Sequence, residues 1–400
     1  MIAQSRSKYV LHILGFILLL VASISPAVAQ SSARPSPVEV FSPKPPTPVM
    51  IEGKRVLVYE LHITNFGPSA LTLTGIQVFA AGSTTKSLGD IKLADYSAGS
   101  LLQLLRPVDE SSQMGDSSHM STPTNPGQLA IGRRVIAFLY VIIPPAVRTS
   151  VLRHRFLFNV ADPARGKGTP NDESALDGII VPVLQQTSMV LSAPFKQGVW
   201  LAGNGPSNAS VHRRSVIAID GRPCIAQRFA IDWVMVGNNG NTFHESRERN
   251  ENFWAFGQPV LAVADGEVTE VVNDIPDNLP GKLPLVTVQN ITGNHVILRI
   301  APGVYATYGH LKQGSIRVQV NQNVTQGTEL AQVGNSGNST GAHLHFQITD
   351  ANSVLASEGI PFLFDRFRFL GFGKDFEEDH HPDLPRSETL PADDSVISFQ

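Results

Sequence analysis

The chain has 400 residues, more than one hydrophobic core usually serves, so two domains with terminal segments are expected. Its 31 basic and 34 acidic residues give a net charge of −3, which provides no cationic excess for a nucleic-acid partner. A single cysteine, Cys224, excludes an intramolecular disulfide framework.

Residues 1–29 have the features of a signal peptide. Arg6 and Lys8 precede an apolar run, and Ala27 and Ala29 place small residues at the −3 and −1 positions of a cleavage site. No later stretch approaches about 18 unbroken apolar residues, so the sequence predicts no integral membrane segment after this leader. We therefore expect an exported protein, periplasmic or extracellular, with an uncleaved anchor as the alternative.

The segment after the leader predicts a β-sandwich. Residues 30–48 are rich in Pro and Ser and are expected to form an extended lead-in. Residues 49–188 contain strand-like runs separated by turn residues, among them KRVLVYELHITNFG and ALTLTGIQVFA. Several short strands with almost no helical periodicity favour a sandwich of the immunoglobulin type. No constellation of catalytic residues is visible in it.

A break rich in Gly, Pro and Asn near residue 190 predicts the start of a second domain, residues 194–370. Its strand candidates, such as RFAIDWVMV, NHVILRI and AHLHFQI, again indicate β structure, so the fold class expected for the chain is all-β. We expect this domain to fold on its own. Residues 371–400 are acidic and contain Pro, which predicts a disordered tail.

Four residues of the second domain fit one kind of chemistry. Asp232 interrupts an apolar run, and a carboxylate buried there needs a partner or a metal. His310 ends an aromatic strand candidate. His343 and His345 stand two apart on another, so both imidazoles point to one side, although the pair alone could be two exposed histidines. An Asp and a His on zinc, with two further histidines that handle protons, could hydrolyse a peptide.

The segment from about 225 to 350 resembles the lysostaphin-like and LytM-like zinc metalloendopeptidases, which cut peptide cross-bridges in bacterial cell walls. The motifs that carry the resemblance follow the family's order: VLAVADGEV, GNHVIL, YATYGHL, VTQGTELAQVGNSG and STGAHLHFQI. The resemblance implies an antiparallel β-sheet peptidase domain that binds Zn²⁺. It implies His310 and His343 as catalytic residues, and Asp232 and His345 as metal ligands.

The sequence departs from the family at one metal ligand. The family has a histidine four residues before the aspartate, but here Arg228 stands at that position, and a guanidinium stays protonated and cannot bind zinc. His212, His244 or His295 could supply the third ligand instead. Alternatively, Arg228 could pair with Asp232 in place of the metal.

Two functional hypotheses follow. The first is an exported metalloendopeptidase that acts on peptidoglycan cross-bridges or other extracytoplasmic peptides through zinc-activated water. The second is a catalytically inactive module of the same fold that binds or regulates during cell-wall hydrolysis, so enzymatic activity itself stays open. A lipoyl-like carrier is disfavoured because no Lys lies at a turn tip of the Met-Lys type. The oligomeric state is not determined by the sequence.

Overall fold

The computed structural model describes residues 36–81, 90–108, 125–160, 173–237, 240–377 and 381–399. The predicted signal peptide, 1–29, lies outside them. Strands dominate the described residues, which confirms the all-β class. None of the helices in the described ranges has the length and apolar character needed to cross a bilayer.

The first half contains ten strands and one helix in its described residues. In chain order they are β1 (Val38–Phe41), β2 (Val49–Ile51), β3 (Lys54–Asn65), β4 (Leu71–Ala80), β5 (Ile91–Ser97), α1 (Ala98–Leu104), β6 (Leu105–Val108), β7 (Gln128–Leu129), β8 (Arg134–Ile142), β9 (Val151–Val160) and β10 (Glu173–Pro182).

These strands form two antiparallel sheets. The inner sheet has the order β1-β3-β8-β6, with β2 on β3, and the outer sheet has the order β10-β9-β4-β5, with β7 on β4. Alternate residues of each sheet point into one shared core, for example Leu57 and Leu139 from the inner sheet and Ile76 and Phe156 from the outer sheet. The two sheets therefore form a sandwich; its immunoglobulin type stays a prediction. The predicted lead-in, 30–48, includes β1, which is a paired strand of the inner sheet.

The remaining elements belong to the second half. They are β11 (Met189–Leu191), β12 (Val199–Gly203), α2 (Val211–Arg214), β13 (Ile217–Ile219), β14 (Arg222–Cys224), β15 (Ile231–Met235), a 3-10 turn (Asn250–Asn252), β16 (Pro259–Leu261), β17 (Gly266–Val272), β18 (Asn294–Ala301), β19 (Val304–Leu311), β20 (Asn323–Val324), β21 (Glu329–Gln332), β22 (Leu344–Thr349), β23 (Phe362–Phe372), a 3-10 turn (Gly373–Asp375), β24 (Leu384–Thr389) and β25 (Ser395–Ser398).

Most of these strands form one long sheet. Its order is β11-β23-β25-β12-β15-β22-β19-β18-β17-β20, with β24 on β23, and every pair except β11 with β23 is antiparallel. Strand alternation sends Trp233 and Phe346 into the core and leaves Asp232 and His345 on the opposite face. The centre of the sheet, β15-β22-β19, therefore carries the polar residues singled out in the sequence.

The predicted disordered tail, 371–400, is wrong for its described part. There β23 ends at Phe372, and β24 and β25 are strands of the long sheet. Strand β25 lies between β23 and β12, and Ile397 and Phe399 are buried in the core. The acidic residues of this segment that the structure describes lie mostly in the connections, whereas the short apolar run near residue 397 provides the strand.

The inner sheet is buried on both faces. In β3, Leu57 and Leu61 point into the sandwich, whereas Val56 and Val58 join the core of the second half. In β8, Phe138 packs against Ile225 of the second half. The predicted boundary near 190 coincides with β11, but Ser36–Gln400 forms one compact unit in which the two halves share apolar surface.

Candidate metal centre

Strand pairing brings Asp232 and His345 together. They are direct partners in the β15–β22 ladder, and directly opposite residues of an antiparallel pair project to the same face. The Oδ1 atom of Asp232 lies 3.0 Å from Nδ1 of His345. The register of the sheet therefore places this carboxylate and this imidazole side by side.

His212 adds a third ligand-bearing side chain to this point. It lies in α2, a single helical turn, and its Nε2 atom is 3.2 Å from Oδ2 of Asp232. Its ring centroid is 4.7 Å from that of His345. Within the described residues, His212, Asp232 and His345 are the one group whose ligand atoms all lie within 4.8 Å of one another.

The hydrogen bonds of both histidines fit a metal. Nδ1 of His212 lies 3.0 Å from the carbonyl oxygen of Asn204, which can only accept, so Nδ1 carries the proton and Nε2 offers a lone pair toward Asp232. Nε2 of His345 lies 3.1 Å from Oε1 of Gln347, whose amide nitrogen donates to Val354 O, so the lone pair is on Nδ1. Ligating histidines are usually oriented by such acceptors. Two imidazole nitrogens and one carboxylate are a donor set that zinc accepts in catalytic sites.

The surroundings of Asp232 favour its ionised form. Burial alone would raise the pKa of Asp232, but His212 and His343 more than offset it and hold the pKa well below its usual value. The side-chain amide of Asn204 also donates to Oδ2 over 2.8 Å. The carboxylate is thus available as a ligand at neutral pH.

His310 and His343 line the same space. Their ring centroids are 4.8 Å apart, and Nε2 of His343 lies 3.5 Å from Oδ1 of Asp232. Nδ1 of His310 donates to Ser336 O and Nδ1 of His343 donates to Gly341 O, both over 2.8 Å. In the neutral form, the Nε2 atom of each ring is therefore left for chemistry.

The two rings have pKa values shifted in opposite directions. Burial, together with the neighbouring His343 and His345, holds the pKa of His310 well below its usual value. Burial also lowers the pKa of His343, but Asp232 more than offsets it and the net shift is upward. A pair whose pKa values are driven apart is suited to separate roles as base and acid.

Backbone conformation brings His310 and His343 together. His310 has φ +58°, a left-handed conformation that is uncommon for a residue other than Gly. Gly334 lies between the two segments: its N–H donates to His310 O, and its carbonyl accepts from His343 N. A Cβ on Gly334 would lie 2.3 Å from the backbone nitrogen of Lys312, so only glycine fits there. The small residues before the His-x-His motif permit this approach.

Three alternatives weighed from the sequence lie elsewhere. Arg228 does not contact Asp232; its guanidinium binds Glu60 and Glu358. His244 is exposed and packs against Trp254. Nδ1 of His295 donates to Gly293 O over 2.8 Å, and its Nε2 lies 3.2 Å from Oε1 of Glu270. Of the candidates for the third ligand, the structure brings only His212 to Asp232 and His345.

Sequence reasoning missed the supporting residues Asn204, Gln347 and Ser336. Gln347 had a detectable signal, because it stands two residues after His345 and strand periodicity puts both on one face. Asn204 lies in a turn after β12 and Ser336 contributes through its backbone carbonyl, so no residue-type pattern identifies either one.

Comparison with known proteins gives one family and one curated relative. The sequence model described as "Peptidase family M23" matches residues 252–356. The cell division protein DipM of Caulobacter vibrioides is 34% identical over 98 residues, which are 24% of this chain and 14% of that protein. The match thus spans about a seventh of the relative's length.

Several solved structures are similar to the chain. The catalytic domain of lysostaphin from Staphylococcus simulans is 20% identical, with 41% of this chain and 88% of that chain covered and a TM-score of 0.22. A catalytic-domain mutant of the M23 protein EnpA from Enterococcus faecalis is 19% identical, with 43% and 89% covered and a TM-score of 0.22. A zinc-containing peptidase from Vibrio cholerae is 12% identical, with 81% and 83% covered and a TM-score of 0.24.

Proposed function

We propose that the protein is an exported zinc metalloendopeptidase of the lysostaphin type, since residues 252–356 match the sequence model of peptidase family M23. Its substrates are peptidoglycan cross-bridges or other extracytoplasmic peptides. The observation that carries the proposal is the position of His212, which completes a three-residue ligand set with Asp232 and His345. The export-signal pattern of residues 1–29 supports an extracytoplasmic location.

Each residue of the centre has a role in this proposal. Asp232, His212 and His345 would hold the zinc, which would polarise the scissile carbonyl and lower the pKa of bound water. His310 is kept neutral by burial and accepts the proton of the attacking water at Nε2. His343, whose pKa Asp232 raises, donates a proton or hydrogen bond from Nε2 to the substrate. Asn204 and Gln347 orient the ligands.

Metal content and turnover of purified variants test the proposal. Wild-type protein is expected to hold about one zinc per chain and to release labelled fragments from peptidoglycan. His345→Ala should lose both properties, whereas His343→Ala should keep the metal and lose turnover. His244→Ala is the matched control, because this exposed histidine lies outside the centre. A wild-type protein that stays metal-free in zinc-containing buffer refutes the proposal.

The second candidate function is a non-catalytic module that binds cell-wall peptides. The low exposure of His310 and His345, at 6% and 4%, favours it, because a scissile bond has little room to reach them. Such a module would bind zinc and peptidoglycan fragments without cleaving them. Zinc-loaded wild type that retains peptide for hours without turnover selects this function over hydrolysis.

A further inference from the structure

Glu60 is a charged residue buried between the two halves of the molecule. It lies in β3 and is 1% exposed. Its strand neighbours Tyr59 and Leu61 point into the sandwich core, so strand alternation directs Glu60 to the opposite face, toward the second half. An isolated buried carboxylate is strongly disfavoured, so Glu60 requires cationic partners.

Two arginines of the second half provide them. Nε of Arg213 lies 3.2 Å from Oε1 of Glu60, and Nη2 of Arg228 lies 2.9 Å from Oε2. Burial alone would raise the pKa of Glu60, but Arg228 and Arg213 together hold it below its usual value. Glu358 binds Arg228 as well, so two carboxylates balance two guanidinium groups.

Arg213 is anchored in the sandwich by more than Glu60. Its Nη2 atom donates to the carbonyl oxygens of Tyr59 in β3 and Leu139 in β8, over 2.8 and 2.7 Å, and its side chain is fully buried. These acceptors belong to the two central strands of the inner sheet. The guanidinium fork of Arg213 is thus held by the first half of the chain.

The position of Arg213 beside His212 connects this anchor to the metal centre. Asp232 and His345 are held by the β15–β22 ladder, but His212 lies outside any sheet, in a four-residue turn without a side-chain N-cap. One helical turn has little stability of its own. The location of His212 therefore depends on its own hydrogen bond to Asn204 O and on the contacts of its neighbours, among which those of Arg213 are buried and charged.

We propose that Glu60 is a positioning residue of the metal centre: by binding Arg213, the N-terminal sandwich holds His212 in place as the third ligand. The proposal rests on the metal site of the proposed function. In this proposal the sandwich contributes no ligand but helps to position one.

Zinc affinity of the full chain tests the proposal. Glu60→Gln keeps the size of the side chain and removes its charge, and its zinc affinity, measured by competition with a chromophoric chelator, is expected to fall about tenfold or more. Glu52→Gln is the matched control, because Glu52 also pairs across the halves, with Arg386 over 3.1 Å, but far from the ligands. Its affinity should stay within about twofold of wild type.

A double-mutant cycle separates positioning from general loosening. In a His212→Ala background, Glu60→Gln should reduce affinity by less than about threefold, because its effect is transmitted through His212. The d–d spectrum of bound Co²⁺ should change in Glu60→Gln as it does in His212→Ala. Full additivity of the two substitutions, or a wild-type spectrum in Glu60→Gln, overturns the proposal.

A second variant covers the case in which Glu60→Gln does not fold. Arg213→Lys retains a cation for Glu60 but loses the fork that reaches Tyr59 and Leu139. It too should weaken zinc binding while circular dichroism shows a folded chain. A folded Arg213→Lys with wild-type affinity overturns the positioning role. Absence of zinc binding in the wild type instead defeats the proposed function itself.

Discussion

At position 228 the pattern of the lysostaphin-like peptidases has a metal-binding histidine, whereas this chain has an arginine that forms ion pairs. Its guanidinium binds Glu60 and Glu358 in the buried contact between the halves, and Asp232 is not among its partners. The net effect of the two carboxylates is to raise the pKa of Arg228 above its usual value, although burial alone would lower it. The residue is thus a structural cation, and its departure from the family pattern does not by itself argue against the proposed metal centre.

Arg228→His is therefore expected to destabilise the protein without improving the centre. It leaves Glu60 with one cation, and loss of one partner from a buried pair costs about 3 kcal/mol or more in unfolding free energy. Zinc affinity should not rise, since the position faces Glu60. Urea unfolding and zinc titration check both points. The control Arg386→His, at a more exposed ion pair, should cost about 1 kcal/mol or less. A folded Arg228→His that binds zinc more tightly contradicts this account.

The buried His154 is expected to make the unfolding free energy depend on pH. Burial lowers its pKa to about 4, and both ring nitrogens are bonded, to Tyr59 OH and Ile179 O. In the unfolded chain the same ring has its usual pKa of about 6.5, so between these values the unfolded state binds the extra proton. Stability is then lost as the pH falls through this window.

The expected loss from His154 between about pH 7.5 and about pH 5 is about 2 kcal/mol of unfolding free energy. His154→Gln, which does not titrate, should have a pH dependence smaller by that amount. Urea unfolding of metal-free protein at the two pH values measures it. His244→Gln serves as the control because that ring is exposed. An identical pH dependence in His154→Gln and wild type would disprove the assignment.

Among the elements, β25 joins two parts of the long sheet. It lies between β23 and β12, and β12 pairs with β15, which carries Asp232. Ile397 pairs with Trp200 on one side and Phe369 on the other and is fully buried. The last strand of the chain therefore connects the edge of the sheet to the strands of the metal centre.

Ile397→Ala is expected to lower the unfolding free energy by about 2–5 kcal/mol, because it removes a fully packed side chain. Leu384→Ala is the control; this leucine of β24 is 44% exposed and should cost less than about 0.5 kcal/mol. Chemical denaturation of both variants gives the comparison. Equal, small effects would mean that β25 contributes little to the core.

At the scale of the whole molecule, the inner sheet belongs to both halves. Its β3 strand contributes Val56 and Val58 to one core and Leu57 and Leu61 to the other, and Glu60 pairs with two arginines across the contact. These contacts argue against the independent folding of residues 194–370 expected from the sequence. Stability and metal binding should instead depend on both halves together.

A fragment of residues 194–400 is accordingly expected to lack a cooperative melt and to bind zinc poorly. It exposes the apolar surface that meets Val56 and Val58, and it leaves Arg213 without its anchor. Thermal circular dichroism and zinc titration of the fragment test this. A chain of residues 36–400, which keeps the compact unit intact, is the control and should match the full chain. A fragment that melts like this control would restore the two-domain hypothesis.

The sequence by itself determined the all-β class, because strand periodicity is a local pattern, and its short motifs predicted Asp232, His310, His343 and His345 as members of one site. It left open which histidine lies beside Asp232 and His345, since His212 and Asp232 meet only through tertiary contacts. Glu60, which pairs with Arg228, is likewise distant from it in the chain, and no local pattern distinguishes Glu60 from Asp232 as the partner of this arginine. The final strand was misjudged because the pairing of a short segment depends on the neighbours β12 and β23, which only the folded chain supplies.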